Sequence, residues 1–164
     1  MRGRLRRVAA MTPLLATVLA AQVAQAASTC NFSVSPVAFG TYSPVLATPD
    51  DSAGTVTITC TNRPPPGFVD ISYVVRLGQG SSGSFVARQM AAGAARLGYN
   101  LFLDAARSIV WGDGTAGTAV AGSSFRLAGN KTQSVSHTIY GRIPARQAAE
   151  VGSYSDTIVV TLEF

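Results

Sequence analysis

Strict two-residue alternation of apolar and polar side chains narrows the fold of this sequence more than any other feature. In Gly54-Thr-Val-Thr-Ile-Thr-Cys-Thr61, Val56, Ile58 and Cys60 share one parity and threonines the other. An extended chain sends successive side chains to opposite faces, so this pattern sorts into a buried side and a wet side only as a strand. The period returns in Ile71, Tyr73, Val75 and Leu77, in Val135, His137 and Ile139, and in Ile158, Val160, Leu162 and Phe164. Between these runs stand turn formers: Arg63-Pro-Pro-Pro-Gly67, Gly78-Gln-Gly-Ser-Ser-Gly83, Gly112-Asp-Gly-Thr-Ala-Gly117 and Gly129-Asn-Lys131. No long stretch carries the helical period and no strand–helix–strand alternation occurs. Pro144 to Glu150, with proline at its first position, is expected to add one helical turn at most. The expected class is all-β, an antiparallel sandwich.

The first stretch is set apart from the fold. Arg2, Arg4, Arg6 and Arg7 precede an apolar run from Val8 to Ala21, and Ala24-Gln25-Ala26 closes it with the small-x-small pattern of a signal peptidase site. The run is short for a bilayer crossing and is interrupted by Pro13. Residues 1–26 are therefore expected to be a cleaved signal peptide, with no stable membrane span left afterwards. Removing these 26 of the 164 residues leaves 138, enough for one domain, 27–164. The whole chain has 13 Lys and Arg against 8 Asp and Glu; removing the four leader arginines leaves 9 against 8. That near-balance gives no electrostatic case for nucleic acid.

Cys30 and Cys60 are the two cysteines, both in the exported part. An even pair in an oxidising compartment points to one disulfide. Closing a loop of about 30 residues, it would contribute roughly 3 to 4 kcal/mol in the chain-entropy account. A redox or metal role is the alternative; it lacks a C-x-x-C spacing, and His137 is the one histidine available as a further ligand.

Catalytic chemistry finds little purchase. His137 sits in an alternating run between Val135 and Ile139, where a packed or edge-strand side chain is the simpler expectation than a general base. Asp104, Asp113 and Asp156 fall in separate segments without the context of a carboxylate pair. Gly112 to Gly117 lacks the carboxylates of a calcium loop and the Gly-Lys-Ser/Thr of a phosphate loop. Asn31-Phe-Ser33 and Asn130-Lys-Thr132 match the short glycosylation pattern, which decides nothing by itself. No catalytic residue, cofactor site or metal site is expected, and an enzyme is the least supported class.

Six separated motifs give a family resemblance over residues 30 to 164. They are Cys30 with Val37-Ala-Phe-Gly-Thr-Tyr42, Gly54 to Cys60, Tyr99-Asn-Leu-Phe-Leu-Asp104, Trp111-Gly-Asp-Gly114, Tyr140-Gly-Arg-Ile-Pro-Ala145, and Gly152-Ser-Tyr-Ser-Asp-Thr157 ahead of a run ending in Phe164. Together they resemble the spore coat protein U domain, the subunit fold of archaic, Csu-like chaperone-usher pili. The resemblance implies an incomplete immunoglobulin-like antiparallel sandwich lacking its final strand. It also implies a secreted structural subunit with an apolar groove, filled first by a periplasmic chaperone and then, at the usher, by a donor strand from a neighbouring pilus subunit. Val34, Val37 and Phe39 from the first strand, with Ile158, Val160, Leu162 and Phe164 from the last, are the expected groove residues. The chain departs from the family pattern at one point. Only Ala27, Ser28 and Thr29 separate the expected cleavage site from Cys30, where rod subunits carry a donor strand, so a tip or terminal place is expected. The competing expectation is a self-contained secreted adhesive module, closed internally, that binds through loop tips such as Pro64 to Gly67 or Ser81 to Phe85.

Overall fold

The structure, a computed structural model, describes residues 27–63 and 67–164. The expected signal peptide and most of the triple-proline loop lie outside the described residues. Eight strands run in the order β1 (Ala27–Ser35), β2 (Asp50–Arg63), β3 (Phe68–Leu77), β4 (Arg88–Ala92), β5 (Ala95–Phe102), β6 (Ala121–Ala128), β7 (Thr132–Ile143) and β8 (Val160–Glu163). They form a five-stranded sheet in the order β1-β2-β7-β5-β4 and a three-stranded sheet in the order β6-β3-β8. All named pairings are antiparallel. The all-β sandwich expected from the alternation is the fold observed.

The alternating runs do what their parity dictates. Val56, Ile58 and Cys60 of β2, Ile71, Tyr73, Val75 and Leu77 of β3, and Ile139 of β7 are buried between the sheets. Outward, hydroxyls meet across β2 and β7: Thr57 with Ser136 at 2.9 Å, Thr59 with Ser134 at 2.8 Å and Thr61 with Thr132 at 3.0 Å. Such cross-strand hydroxyl pairs fix register on the solvent side while the apolar parity fixes it inside. Cys30 and Cys60 face each other directly in the β1–β2 register, Cα atoms 4.0 Å apart, and form the disulfide.

Two glycines let the chain cross the sheet. After Ser35 the chain leaves the edge and passes over the inner face. A Cβ on Gly54 of β2 would meet the main chain of Ser35, Pro36 and Val37, and one on Gly141 of β7 would lie 2.6 Å from Val37 and 2.7 Å from Phe39. Any side chain at either position would displace residues 36–39. Phe39 ends the crossing against Tyr99 of β5, ring centroids 6.1 Å apart and edge to face. Val37 and Phe39 therefore belong to this crossing and not to the first strand, which ends at Ser35.

The expected helical turn from Pro144 to Glu150 is absent. A turn bends at Ala145 and Arg146, with Arg146 in the left-handed region at φ 58°. Gln147 is engaged elsewhere: its N–H donates to the Tyr42 hydroxyl at 2.7 Å, and its side-chain amide brackets Gly98, accepting from its N–H at 2.9 Å and donating to its carbonyl at 2.8 Å. These long-range bonds replace the local ones a helix would make.

The interior also holds a charge. Arg88 of β4 is fully buried, donating to the Gly78 carbonyl at 2.8 Å, the Trp111 carbonyl at 2.8 Å and Asn100 Oδ1 at 2.8 Å, with Phe85 under its guanidinium at 5.4 Å. Trp111, also fully buried, donates its indole N–H to the Val75 carbonyl at 3.1 Å. Arginine's planar fork thus ties β4, β5 and the loops after β3 and β5 together.

Candidate functional site: an open apolar cleft

The sandwich is not closed along one seam. A cleft of about 880 Å³ opens between the crossing segment 36–42 on one wall and residues 149–160 on the other. Its floor is the inner face of the larger sheet, Leu97, Tyr99 and Leu101 of β5 with Ile139 and Ile143 of β7, together with Leu77 and Met90. These floor residues are the alternating apolar set that would lie under a further strand.

The walls have unused main chain. β8 pairs only with β3, along Val74–Leu77, and residues 36–42 join no ladder. The second wall is tied down at two points, by an isolated antiparallel bridge between Ser155 and Ala91 of β4 and by the Gly78 N–H on the Val159 carbonyl; the first wall has no sheet partner among the described residues, the condition under which extended chain recruits another strand. The apolar face of β1 is under-covered as well: Phe32 is 46% exposed and Val34 42% exposed, although they oppose the buried Ile58 and Val56 on β2.

The seven expected groove residues divide unevenly. Val34, Val37, Phe39, Ile158 and Val160 line the cleft together. Leu162 and Phe164 do not line it. Leu162 packs against the core opposite Val75, and Phe164 stands 71% exposed with its ring 6.5 Å from Tyr73. Ile158 precedes β8 instead of lying in it. The floor residues were not among the expected set; the parity of Leu97, Tyr99 and Leu101 was the signal that could have found them.

The cleft wall is anchored by one carboxylate. Asp156 accepts from the Tyr99 hydroxyl at 2.7 Å, the Ser81 N–H at 2.9 Å and the Thr157 N–H at 2.8 Å. Burial works to raise its pKa, and the hydrogen bonds from Ser81, Tyr99 and Thr157 outweigh it and hold the carboxyl below the usual range. Burial first, then the bond to Asp156 and its charge, push the Tyr99 hydroxyl well above its ordinary value.

His137 is packed on the inner face, its Nε2 3.0 Å from the Tyr73 hydroxyl, with the Tyr73 and Trp111 rings edge-on at 5.8 and 6.4 Å. Burial lowers its pKa from the ordinary 6.5. The folded state therefore takes up a proton less readily than the unfolded chain, and the stability this provides is present above pH 6.5 and lost as pH falls from there through the folded-state pKa. We expect the thermal midpoint to fall between about pH 7 and pH 5, and His137→Gln to flatten that part of the profile. An unchanged slope in the variant would show that the loss comes from other groups.

The loop tips of the competing expectation fare differently. Phe85 is buried under Arg88 and not presented at the tip of its loop. Residues 64–66 lie outside the described residues, and the neighbouring Phe68 is exposed with Arg126 stacked over it at 4.5 Å. The Gly112–Gly117 loop closes on itself, Asp113 accepting from the N–H and hydroxyl of Thr115 at 2.8 and 2.6 Å. Among the described residues no three His, Cys, Asp or Glu side chains gather as metal ligands would. The cleft is lined mainly by apolar side chains.

The chain is similar to known proteins in both sequence and fold. Protein U of Myxococcus xanthus is 33% identical over 139 residues, covering 77% of this chain and 70% of that protein. Among solved structures, a chain in the crystal structure of the CsuC–CsuE chaperone–tip adhesion subunit pre-assembly complex, from the archaic chaperone-usher Csu pili of Acinetobacter baumannii, superposes with a TM-score of 0.52. It is 23% identical and covers 84% of this chain, which spans 40% of that chain's length, so the likeness is one of fold. The Spore Coat Protein U domain matches residues 14–161. With that match spanning most of the sequence, the chain belongs to the Spore Coat Protein U domain family.

Proposed function

We propose that this protein is an exported structural subunit of a pilus or surface coat, and that its cleft is the acceptor for an extended strand from another protein. The observation that carries this is the seam itself: apolar floor residues in strand alternation, bordered by a segment, residues 36–42, that joins no ladder. A strand laid there would add main-chain hydrogen bonds to β8 and bury alternate side chains on Leu97, Leu101, Ile139 and Ile143. The donors that fit are a periplasmic chaperone first and a neighbouring subunit afterwards, exchanged at an usher. Because Ala27–Thr29 are already held opposite Thr61–Arg63 of β2, they are committed to this domain's own ladder, which supports a tip or terminal position. The open seam weighs against the internally closed module.

Periplasmic co-expression with the chaperone of an archaic chaperone-usher system tests the proposal. The expected result is a one-to-one complex on size-exclusion chromatography, with a lower soluble yield and a lower thermal midpoint when the chaperone is omitted. Equal soluble yield and an equal thermal midpoint with and without the chaperone would refute it.

A further inference from the structure

We propose that the strand received by the cleft carries a basic residue at the end that meets Glu150, an inference that rests on the strand-accepting function above. The cleft's charged lining is of one sign. Among the described residues, Glu150 and Asp156 are its only carboxylates, and no lysine or arginine lines it, although residues 27–164 hold nine Lys and Arg against eight Asp and Glu.

The two acids are not equivalent. Asp156 is already engaged by Tyr99, Ser81 and Thr157. Glu150 is exposed on the wall, its carboxylate makes no hydrogen bond among the described residues, and none of the ion pairs Arg76–Glu163, Arg107–Asp51, Arg126–Asp70 and Arg142–Asp51 involves it. Next to it Val151 is fully exposed, so a long basic side chain arriving at this end can lay its methylenes on Val151 and its charge on Glu150. The apolar floor sets the parity of the inserted strand. Glu150 sets which end, and which charge, is accepted, and rejects strands with an acid there by like-charge repulsion.

The test uses labelled synthetic peptides with one alternating Val/Leu core and Lys, Gln or Glu at either terminus. Fluorescence anisotropy reads their binding to the exported protein. At about 20 mM salt, the Lys peptide of one end-series is expected to bind roughly three-fold tighter than its Gln counterpart, and the Glu peptide weaker by a similar factor. The spread should shrink at about 500 mM salt, where charges are screened within a few ångströms. Glu150→Gln should abolish the spread, and an unchanged thermal midpoint shows the variant to be folded. Equal binding of Lys, Gln and Glu peptides in both series would overturn this inference and leave the strand acceptor standing. Binding by none of them would overturn the acceptor, and this inference with it.

Discussion

Arg88→Met is expected to lower the stability of the domain by on the order of 4 kcal/mol, because it leaves buried acceptors without donors. The carbonyls of Gly78 and Trp111 depend on this one guanidinium, while Asn100 Oδ1 keeps the Leu101 N–H as a second donor. Methionine fills a similar volume, so lost packing is a minor part of the expected effect. Arg88→Lys should be damaging too, since one ammonium cannot reproduce the fork that spans these acceptors. Urea denaturation of the two variants beside the parent reads the result. A midpoint for Arg88→Met within experimental error of the parent would show that water takes over these acceptors and that Arg88 is not a keystone of the sandwich.

The second large effect runs in the opposite direction. Appending a strand with Val or Leu at every other position after Phe164, through a short Asn-Gly turn, is expected to raise the urea midpoint strongly. Three or four apolar side chains seated on the cleft floor contribute on the order of 5 to 10 kcal/mol, comparable to the entire stability of a domain this size. Ordering the added residues offsets part of this and leaves a net gain of several kcal/mol. A control strand with serine at the inward positions should give no gain. If the two appended strands behave alike, the cleft is not a strand acceptor.

The sequence and the structure agree where a side chain's role follows from parity. Val56, Ile58 and Cys60, and Ile71 through Leu77, were legible because a strand between two sheets buries every second residue, whatever surrounds it. The cleft walls were legible in part: Val37, Phe39, Ile158 and Val160 are apolar and flank the seam. Their setting was not, because the crossing over Gly54 and Gly141 is a three-dimensional accommodation, visible only when the segment lies on the sheet. Leu162 and Phe164 share the parity of Ile158 and Val160, yet the cleft lining stops at Val160 and Leu162 packs on the core, and parity along one strand cannot report where an opening ends. Arg88 was invisible for the opposite reason. An arginine next to Val86 and Ala87 reads as surface charge, and its burial depends on carbonyls supplied by Gly78 and Trp111, ten and twenty-three positions distant in sequence.

The cross-link between neighbouring strands has a mechanical meaning. A pull on the N-terminal side of β1 enters the domain at Cys30 and passes through a covalent bond into Cys60, in the second strand of the larger sheet. Only the short stretch ahead of Cys30 can peel away. The loop closed by the two cysteines, 30 positions apart in sequence and about 100 Å of chain if drawn out fully, is withheld from extension while the bond stays oxidised. A domain built this way transmits tension through its first strand without lengthening there.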